Sequence, residues 1–165
     1  MNQSKIIEFN KKSVFVAESK NGCGRGYFAN RDFKKGEIIF HGFGRVIDHQ
    51  TEFLSVQIGE KKHFVPSYWT GKFWNHSCNP NTHIKTRSGG FPDWIALRYI
   101  KRGEEVNYEY FHTEYLWTKE AIPHLMLCKC NEKKCRGKIY SFSDLTSSEQ
   151  KKVLKMGHSS KYLSK

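Results

Sequence analysis

Short apolar runs separated by turn-forming residues are the feature that most limits the fold of this chain. Residues 14–16, 27–29 and 38–40 are apolar, and glycine-containing turns occupy residues 21–26 and 34–37 between them. Further short strands are predicted at residues 54–58, 62–65, 83–85, 94–99 and 106–108. Turn residues recur about every eight to twelve positions, a spacing typical of β-rich domains. The sequence therefore predicts a mainly β fold, with no long amphipathic helix before residue 115.

The end of the chain has a different pattern. Residues 146–149 are Thr-Ser-Ser-Glu, the arrangement of a capping box at a helix N-terminus. This pattern predicts one short helix over residues 150–156, and Gly157 stands where such a helix would stop. A basic tail follows, for which disorder is one expectation.

Length and composition favour a folded domain. The chain has 165 residues, enough for one domain with its own core, and 15% of them are aromatic, which argues against a disordered chain. No apolar run approaches the roughly 18 residues of a membrane span, and residues 1–12 do not resemble a signal peptide. We therefore expect neither a membrane protein nor an exported one.

Positive charge is concentrated near the C-terminus. Residues 128–165 contain ten Lys or Arg and three Asp or Glu, so they carry +7 of the net +12, whereas residues 41–127 contain ten and nine. A nearly neutral body with a basic end suggests an anionic partner, such as nucleic acid, an acidic protein or an anionic membrane surface. A solvated lysine-rich surface without a partner explains the same charge.

Three of the five cysteines lie within eight residues. Cys128, Cys130 and Cys135 form a C-x-C-x4-C pattern among lysines, which suits tetrahedral zinc because neighbouring cations favour the thiolate that the metal binds. A structural site needs a fourth ligand, and Cys78 is a better candidate than Cys23. The alternative is that the three cysteines are incidental members of a loop.

Three further segments carry residues of possible chemical importance. Residues 73–81 hold Asn75 and His76 beside large aromatic residues, which suits ligand binding, a polar turn or, less simply, a Cys–His nucleophilic pair with Cys78. Tyr108 and Tyr110 are two residues apart, so a strand would place both on one face, where they could line an aromatic channel or simply pack. The Gly24-Arg25-Gly26 sequence by itself indicates only a turn.

Taken in order, these segments resemble the SET-domain protein-lysine methyltransferases. Gly24 to Ala29 resembles the N-terminal cofactor motif of that family, and residues 75–81 match its N-H-S-C-x-P-N signature. Residues 103–110 resemble its G-E-E-L-x-[FY]-D-Y signature, with Val106 for Leu and Glu109 for Asp. The three clustered cysteines match its post-SET zinc motif, whose fourth ligand in the family corresponds to Cys78.

The resemblance implies a fold of several small sheets in which the two signatures thread together as a pseudoknot. It implies a SET domain over residues 13–122, a post-SET zinc module over 123–142, and a short helix with a basic tail over 143–165. S-adenosylmethionine and one structural Zn²⁺ are the implied cofactors. The implied cofactor-binding residues are Gly24, Arg25, Gly26, Asn75 and His76, and the implied zinc ligands are Cys78, Cys128, Cys130 and Cys135.

The implied activity is methylation of a lysine amine in a histone or another basic protein, at chromatin in a eukaryote or in the cytoplasm of a bacterium. Tyr110 matches the catalytic tyrosine, and a tyrosine at 108 favours mono- and dimethylation. Glu104, Glu105 and Glu109 are expected to face solvent, and the C-terminal tail is expected to recruit an anionic partner without taking part in methyl transfer. The alternative function is a non-catalytic, zinc-stabilised module that binds chromatin or nucleic acid.

Overall fold

In the described residues the architecture consists of ten short strands and two α-helices. The computed structural model describes residues 1–20, 23–51, 55–67, 72–117 and 127–164. The elements are α1 (Gln3–Ser13), β1 (Val14–Glu18), β2 (Arg25–Ala29), β3 (Ile38–His41), β4 (Gly44–Ile47), β5 (Val56–Gly59), β6 (Lys62–Pro66), β7 (Asn75–His76), β8 (Thr82–Thr86), β9 (Pro92–Ala96), β10 (Glu105–Tyr108) and α2 (Ser147–Lys155). Short 3₁₀ turns occupy Tyr110–His112, Phe142–Asp144 and Lys161–Ser164.

The strands form three small sheets, so the prediction of a mainly β fold is confirmed. The strand orders are β1-β2-β10-β7, β3-β9-β8 and β4-β6-β5. Every pairing is antiparallel except that of β7 with β10. This one parallel pairing joins two segments that lie far apart in sequence, as the expected threading of the two signatures requires.

The predicted strands are found with shifted ends, and two of the described strands, β4 and the two-residue β7, were not predicted. The strand expected over residues 94–99 is β9, which lies earlier, at Pro92–Ala96, and the one expected over 54–58 is β5, at Val56–Gly59. β4, at Gly44–Ile47, was not predicted, because it is short and mostly exposed and so lacks a clear alternation of apolar residues. Residue 54 and the expected domain boundary at 122/123 lie outside the described residues.

The helix α1 was not predicted, since the sequence analysis expected only that no long amphipathic helix precedes residue 115. Its sequence is polar, and Ile6 is its buried apolar residue. The Asn2 side chain caps its first turn by accepting a hydrogen bond from the Lys5 amide at 3.0 Å. The Asn10 side chain donates to the His41 carbonyl at 2.8 Å and accepts from the His41 amide at 2.9 Å. These contacts with β3 hold a helix whose apolar pattern is too sparse to predict it.

An aromatic core fills the space between the sheets. Trp74 and Trp94 stack with ring centroids 4.5 Å apart, and Phe40 lies edge-on to both. A second, smaller apolar cluster forms around Phe111. Its other buried members all come from the end of the chain: Phe142, Val153 and Leu163. The C-terminal part therefore packs against the body through its own apolar cluster.

The C-terminal helix is confirmed, and the expectation of a disordered tail is wrong. The side chains of Thr146 and Glu149 form the predicted capping box, and Gly157 follows the helix with a φ of 70°. Ser160 and Leu163 are buried, and the hydroxyl of Tyr162 donates a hydrogen bond to the backbone carbonyl of residue 113. One tyrosine and one leucine are enough to hold a tail that otherwise has a polar composition.

The sequence analysis expected no membrane span. In the part of the chain that the structure describes, every helix is too short or too polar to cross a bilayer.

Candidate functional site

The two signature segments meet where β7 lies beside β10. Asn75 pairs with Asn107 and His76 with Tyr108 in parallel register, and the Ser77 amide donates to the Tyr108 carbonyl at 3.2 Å. This pairing continues the sheet and places Asn75 and His76 next to the strand end that carries the two tyrosines. The structure thus brings together the residues that the two signatures contribute.

The rings of Tyr108 and Tyr110 lie side by side, 4.9 Å apart, and we call them the tyrosine pair. The sequence predicted both on one face of a strand, but the strand ends at Tyr108. Tyr110 begins a 3₁₀ turn, because its carbonyl accepts hydrogen bonds from the amides of Thr113 and Glu114, both at 2.9 Å. The rings are therefore neighbours through a turn after the strand.

The tyrosine pair lies in an apolar, aromatic environment. The Tyr110 hydroxyl donates to the Trp74 carbonyl at 2.7 Å, and its ring lies 5.3 Å from the His76 ring and 5.9 Å from that of Trp117. Burial raises the pKa of both phenols above the ordinary value, and the neighbouring Glu114 raises them further. Both hydroxyls are therefore protonated at neutral pH and act as hydrogen-bond donors.

The Gly24-Arg25-Gly26 motif and Asn75 form a second part of the site, which we call the glycine corner. The Asn75 side chain donates to Oε1 of Glu105 at 2.8 Å and to the Arg25 carbonyl at 3.3 Å, and the Arg25 guanidinium lies over the Phe73 ring. A Cβ at Gly26 would come within 2.3 Å of Oε1 of Glu105 and 2.8 Å of Nδ2 of Asn75. A side chain at 26 would therefore displace the Glu105 and Asn75 side chains from their present contact.

Gly24 contributes to the same corner through its backbone conformation. Its φ of 74° lies in the left-handed region, which L-residues other than glycine rarely adopt. The carbonyl of Gly24 accepts a hydrogen bond from the Ser19 amide at 2.7 Å and closes the turn between β1 and β2. The predicted residues Gly24, Arg25, Gly26 and Asn75 are thus gathered at one place.

Four cysteines converge on one point. The Sγ atoms of Cys78, Cys128, Cys130 and Cys135 all lie within 4.8 Å of one another, and Cys23 is exposed and outside this group. The Cys78 and Cys128 sulfurs are 3.7 Å apart. A tetrahedral zinc with Zn–S bonds of ~2.3 Å needs sulfurs roughly 3.8 Å apart, so the donor set and its spacing fit this metal. Contacts from the Arg136 amide to Cys78 and from the Gly137 amide to Cys135 also favour thiolates.

His76 connects the cysteine cluster to a buried carboxylate. Its Nδ1 lies 3.3 Å from the Cys128 sulfur, and its Nε2 lies 2.8 Å from Oε1 of Glu109. The other Glu109 oxygen accepts a hydrogen bond from the Arg136 guanidinium. Both ring nitrogens of His76 are engaged, which argues against a nucleophilic pair with Cys78 and leaves the main chain of His76 for any cofactor contact.

Comparison with known proteins supports this arrangement of motifs. The sequence matches the profile of the SET domain over residues 24–111, more than half of the chain. This chain belongs to the SET-domain family. The match includes the glycine motif and the tyrosine pair, and ends before the three clustered cysteines.

Curated relatives of this SET domain include proteins of two fungi and a plant. An "H3 lysine-36 specific" histone-lysine N-methyltransferase of Yarrowia lipolytica is 32% identical over 158 residues, covering 82% of this chain and 19% of that protein. One of the same description from Coccidioides immitis is 34% identical over 155 residues, covering 80% and 14%. Histone-lysine N-methyltransferase ASHH3 of Arabidopsis thaliana is 29% identical over 154 residues, covering 78% and 38%. The SET domain chain thus spans well under half the length of these relatives.

A solved structure supports the fold. A crystal structure of a Plasmodium falciparum protein aligns with a TM-score of 0.50 at 21% identity, covering 58% of this chain and 90% of that one. At this identity the likeness shows that the SET fold is shared.

Of the three carboxylates of the second signature, Glu109 is buried, which corrects the expectation that it faces solvent, whereas Glu104 and Glu105 are partly exposed. Glu109 is 2% exposed and is held by His76 and Arg136. Glu105 accepts from Asn75, and Glu104 accepts from the Asn81 side chain at 3.2 Å and pairs with Arg98. Glu109 was missed because the sequence analysis assigned it to the outer face of a strand. Arg136, next to a cysteine of the cluster, was the available signal that Glu109 has a cationic partner.

Glu114 is a buried carboxylate that the sequence analysis did not single out. It is 1% exposed, and its Oε1 accepts from the Gln57 amide at 2.9 Å and from the Thr113 hydroxyl at 3.2 Å. Burial raises its pKa to about 7, even though these hydrogen bonds act in the opposite direction. Nothing in the spacing of apolar residues marks position 114, since its burial depends on the contact with β5.

The difference in unfolding free energy between the Glu114→Gln variant and wild type should favour the variant more at pH 8 than at pH 6. A carboxyl with a raised folded-state pKa contributes stability that is complete below its unfolded pKa and is lost as the pH rises through about 7. Gln cannot ionise, so the difference in unfolding free energy should shift by about 1 kcal/mol in its favour over this range. Urea unfolding at both pH values measures it.

Glu149→Gln is the matched control for this pH effect. Hydrogen bonds with Thr146 lower the pKa of Glu149, so its ionisation is complete well below pH 6. The control should show no added dependence between pH 6 and 8. A constant difference between Glu114→Gln and wild type at the two pH values would contradict the assignment to Glu114.

Proposed function

We propose that this SET domain transfers a methyl group from S-adenosylmethionine to the ε-amine of a lysine in a histone or another basic protein. The observation that carries the proposal is the buried tyrosine pair, held next to the corner formed by Gly24, Gly26 and Asn75. The family and the names of the curated relatives point to the same chemistry. Their description as specific for lysine 36 of histone H3 makes histone H3 the first substrate to test.

The glycine corner has the properties of a cofactor site. Without a side chain at Gly26, the β2 backbone lies directly beside the Asn75 side-chain amide, which also donates to the Arg25 carbonyl. We place the methyl donor there, with Gly24, Arg25, Gly26 and Asn75 as its binding residues and His76 contributing main-chain contacts. When bound, the donor would supply a methyl group on a sulfonium; the neutral lysine amine would form the new N–C bond as the S–C bond breaks, and S-adenosylhomocysteine would leave.

We propose that the tyrosine pair favours the neutral form of the lysine amine and orients it. A free lysine amine has a pKa of ~10.4 and must lose a proton before it can attack a methyl group. An apolar aromatic pocket disfavours the ammonium form, and the positive sulfonium nearby disfavours it further. The Tyr110 hydroxyl is held by the Trp74 carbonyl and fixes the position of its ring, so the pocket orients the amine toward the donor.

We propose that Cys78, Cys128, Cys130 and Cys135 hold one structural zinc. The converging sulfurs fit a tetrahedral ion, and the His76–Glu109–Arg136 contacts provide the outer hydrogen bonds that such sites commonly have. The zinc would fix the segment after residue 127 against β7. The proposed organisation is therefore a SET domain over residues 13–122, a zinc module over 123–142 and a C-terminal element over 143–165.

We also propose an anionic partner for the basic C-terminal region. Lys151, Lys152 and Lys155 lie on α2 and are exposed, so they remain available although the segment itself is packed. Nucleic acid or clustered carboxylates near the substrate would meet this charge, and such binding should weaken with salt. With a histone as substrate, the site of action is chromatin in the nucleus.

Tyr110→Phe should reduce methylation of a histone H3 peptide roughly 100-fold, because the ring loses the hydrogen bond that positions it against Trp74. Mass spectrometry of the peptide after incubation with S-adenosylmethionine measures the transfer. Tyr99→Phe is the control, since it removes the hydroxyl of an exposed tyrosine in the connection between β9 and β10. A wild-type protein that binds no S-adenosylmethionine and methylates no protein would refute the proposed activity and favour a binding module.

Tyr108→Phe should shift the products from mono- and dimethyl-lysine toward trimethyl-lysine while turnover stays near that of wild type. The hydroxyl occupies space and can hold an amine hydrogen or a water, which restricts the rotation that a methylated amine needs for another attack. Product masses over a time course measure the shift. Mainly trimethyl-lysine from the wild type would contradict the role of Tyr108.

Cys78→Ser should lower the zinc content of the purified protein from about one equivalent per chain, because a tetrahedral site loses one of its four thiolates. Elemental analysis and thermal unfolding measure the loss of metal and of stability. Cys23→Ser is the matched control and should keep its zinc, since Cys23 lies outside the cluster. Equal zinc in both variants would exclude Cys78 as a ligand.

A further inference from the structure

Residues 112–115, which directly follow the 3₁₀ turn of Tyr110, are held by the C-terminal segment, residues 141–164. Each of their four carbonyls accepts a hydrogen bond from that segment. The His112 carbonyl accepts from the Ser160 amide at 2.8 Å and the Thr113 carbonyl from the Tyr162 hydroxyl. The carbonyls of residues 114 and 115 accept from the amides of residues 142 and 143, at 2.8 and 2.9 Å.

Two of these four residues are also tied to the tyrosine pair through their backbone amides. The amides of Thr113 and Glu114 both donate to the Tyr110 carbonyl at 2.9 Å. The fourth residue, Tyr115, is anchored on the opposite side, where its amide donates to the Gln57 side chain of β5 at 2.9 Å. A shift of residues 112–115 would therefore move the backbone of Tyr110 and, with it, the ring that faces Tyr108.

Side-chain packing reinforces this hydrogen bonding. Phe111, next to Tyr110, is buried in the second apolar cluster together with Phe142 and Leu163. The Ser159 hydroxyl lies 2.8 Å from Nδ1 of His112. The His112 side chain is buried, and burial lowers its pKa to about 4, so the ring is neutral. Ser159 is the hydrogen-bond partner of Nδ1 in this neutral ring.

The SET-profile match ends at residue 111, so every donor to the carbonyls of residues 112–115 lies beyond it. The matched region contains the tyrosine pair and holds the other side of this segment through the Tyr110 carbonyl and Gln57. We infer that the C-terminal segment positions the tyrosine pair, with Tyr162 as a positioning residue that acts through Thr113; this inference rests on the proposed methyl transfer. This inference differs from the expectation that the tail takes no part in methyl transfer, and the experiments below decide between them.

Tyr162→Phe tests the assignment in the full-length protein. It removes the hydroxyl and keeps the ring, so the apolar cluster stays filled while the Thr113 carbonyl loses its donor. The expected result is a roughly tenfold fall in kcat, because a small displacement of groups that position a substrate slows the reaction strongly. The KM for peptide, the affinity for S-adenosylhomocysteine by calorimetry and the zinc content should stay at wild-type values.

Ser159→Ala provides a second, independent variant, because it removes the contact with His112 and leaves Tyr162 in place. It should lower kcat in the same direction. Tyr99→Phe is the matched control, since it also removes a tyrosine hydroxyl that donates to another residue, Asp32, but at an exposed site. This control should leave kcat unchanged. Unchanged kcat in Tyr162→Phe, or a fall that accompanies loss of zinc or of cofactor affinity, would overturn the assignment.

Hydrogen exchange separates this inference from the proposed function. Amides of residues 112–115 should exchange faster in Tyr162→Phe than in wild type or Tyr99→Phe, whether or not the protein is an active enzyme. An inactive wild-type protein would refute the methyl transfer and its positioning consequence, while faster exchange would still support the mechanical contact. Unchanged exchange at these amides would refute the contact itself.

Discussion

The parallel pairing of β7 with β10 is the interaction on which the candidate site depends. It joins Asn75 and His76 to the end of the strand that carries Tyr108. Residues on either side are then fixed in turn: Asn75 reaches the glycine corner, and His76 reaches the cysteine cluster. Two strands of a few residues each have little stability alone, so the surrounding sheets and the aromatic core must hold them in register.

Buried charge connects the parts around this pairing. Glu109 lies between His76 and the Arg136 guanidinium, so the carboxylate has partners on both oxygens where an unpaired one would be costly. His76 in turn contacts Cys128. One connected network thus joins the cysteine cluster, His76 and Glu109, which precedes Tyr110. A structural change in the cysteine cluster would therefore alter the position of the tyrosine pair.

Much of the site was predictable because its residues lie in short motifs with fixed spacing. The glycine motif, residues 75–81, residues 103–110 and the three clustered cysteines each stand within about ten residues of sequence. Their resemblance to one family, in the same order, named the fold and chose Cys78 over Cys23 as the fourth cysteine. The capping box of α2 was equally local, since a helix N-terminus is satisfied by side chains three residues apart.

Contacts between distant segments were not predictable in the same way. The sequence by itself determined the β-rich class, the motif residues and the start of α2, because strand alternation, turn residues and caps act over a few positions. Only the tertiary structure decided that α1 is held through Asn10, that Glu109 and Glu114 are buried, and that the tail packs on residues 112–115. These outcomes depend on partners 27 to 57 residues away in sequence, which no local pattern specifies.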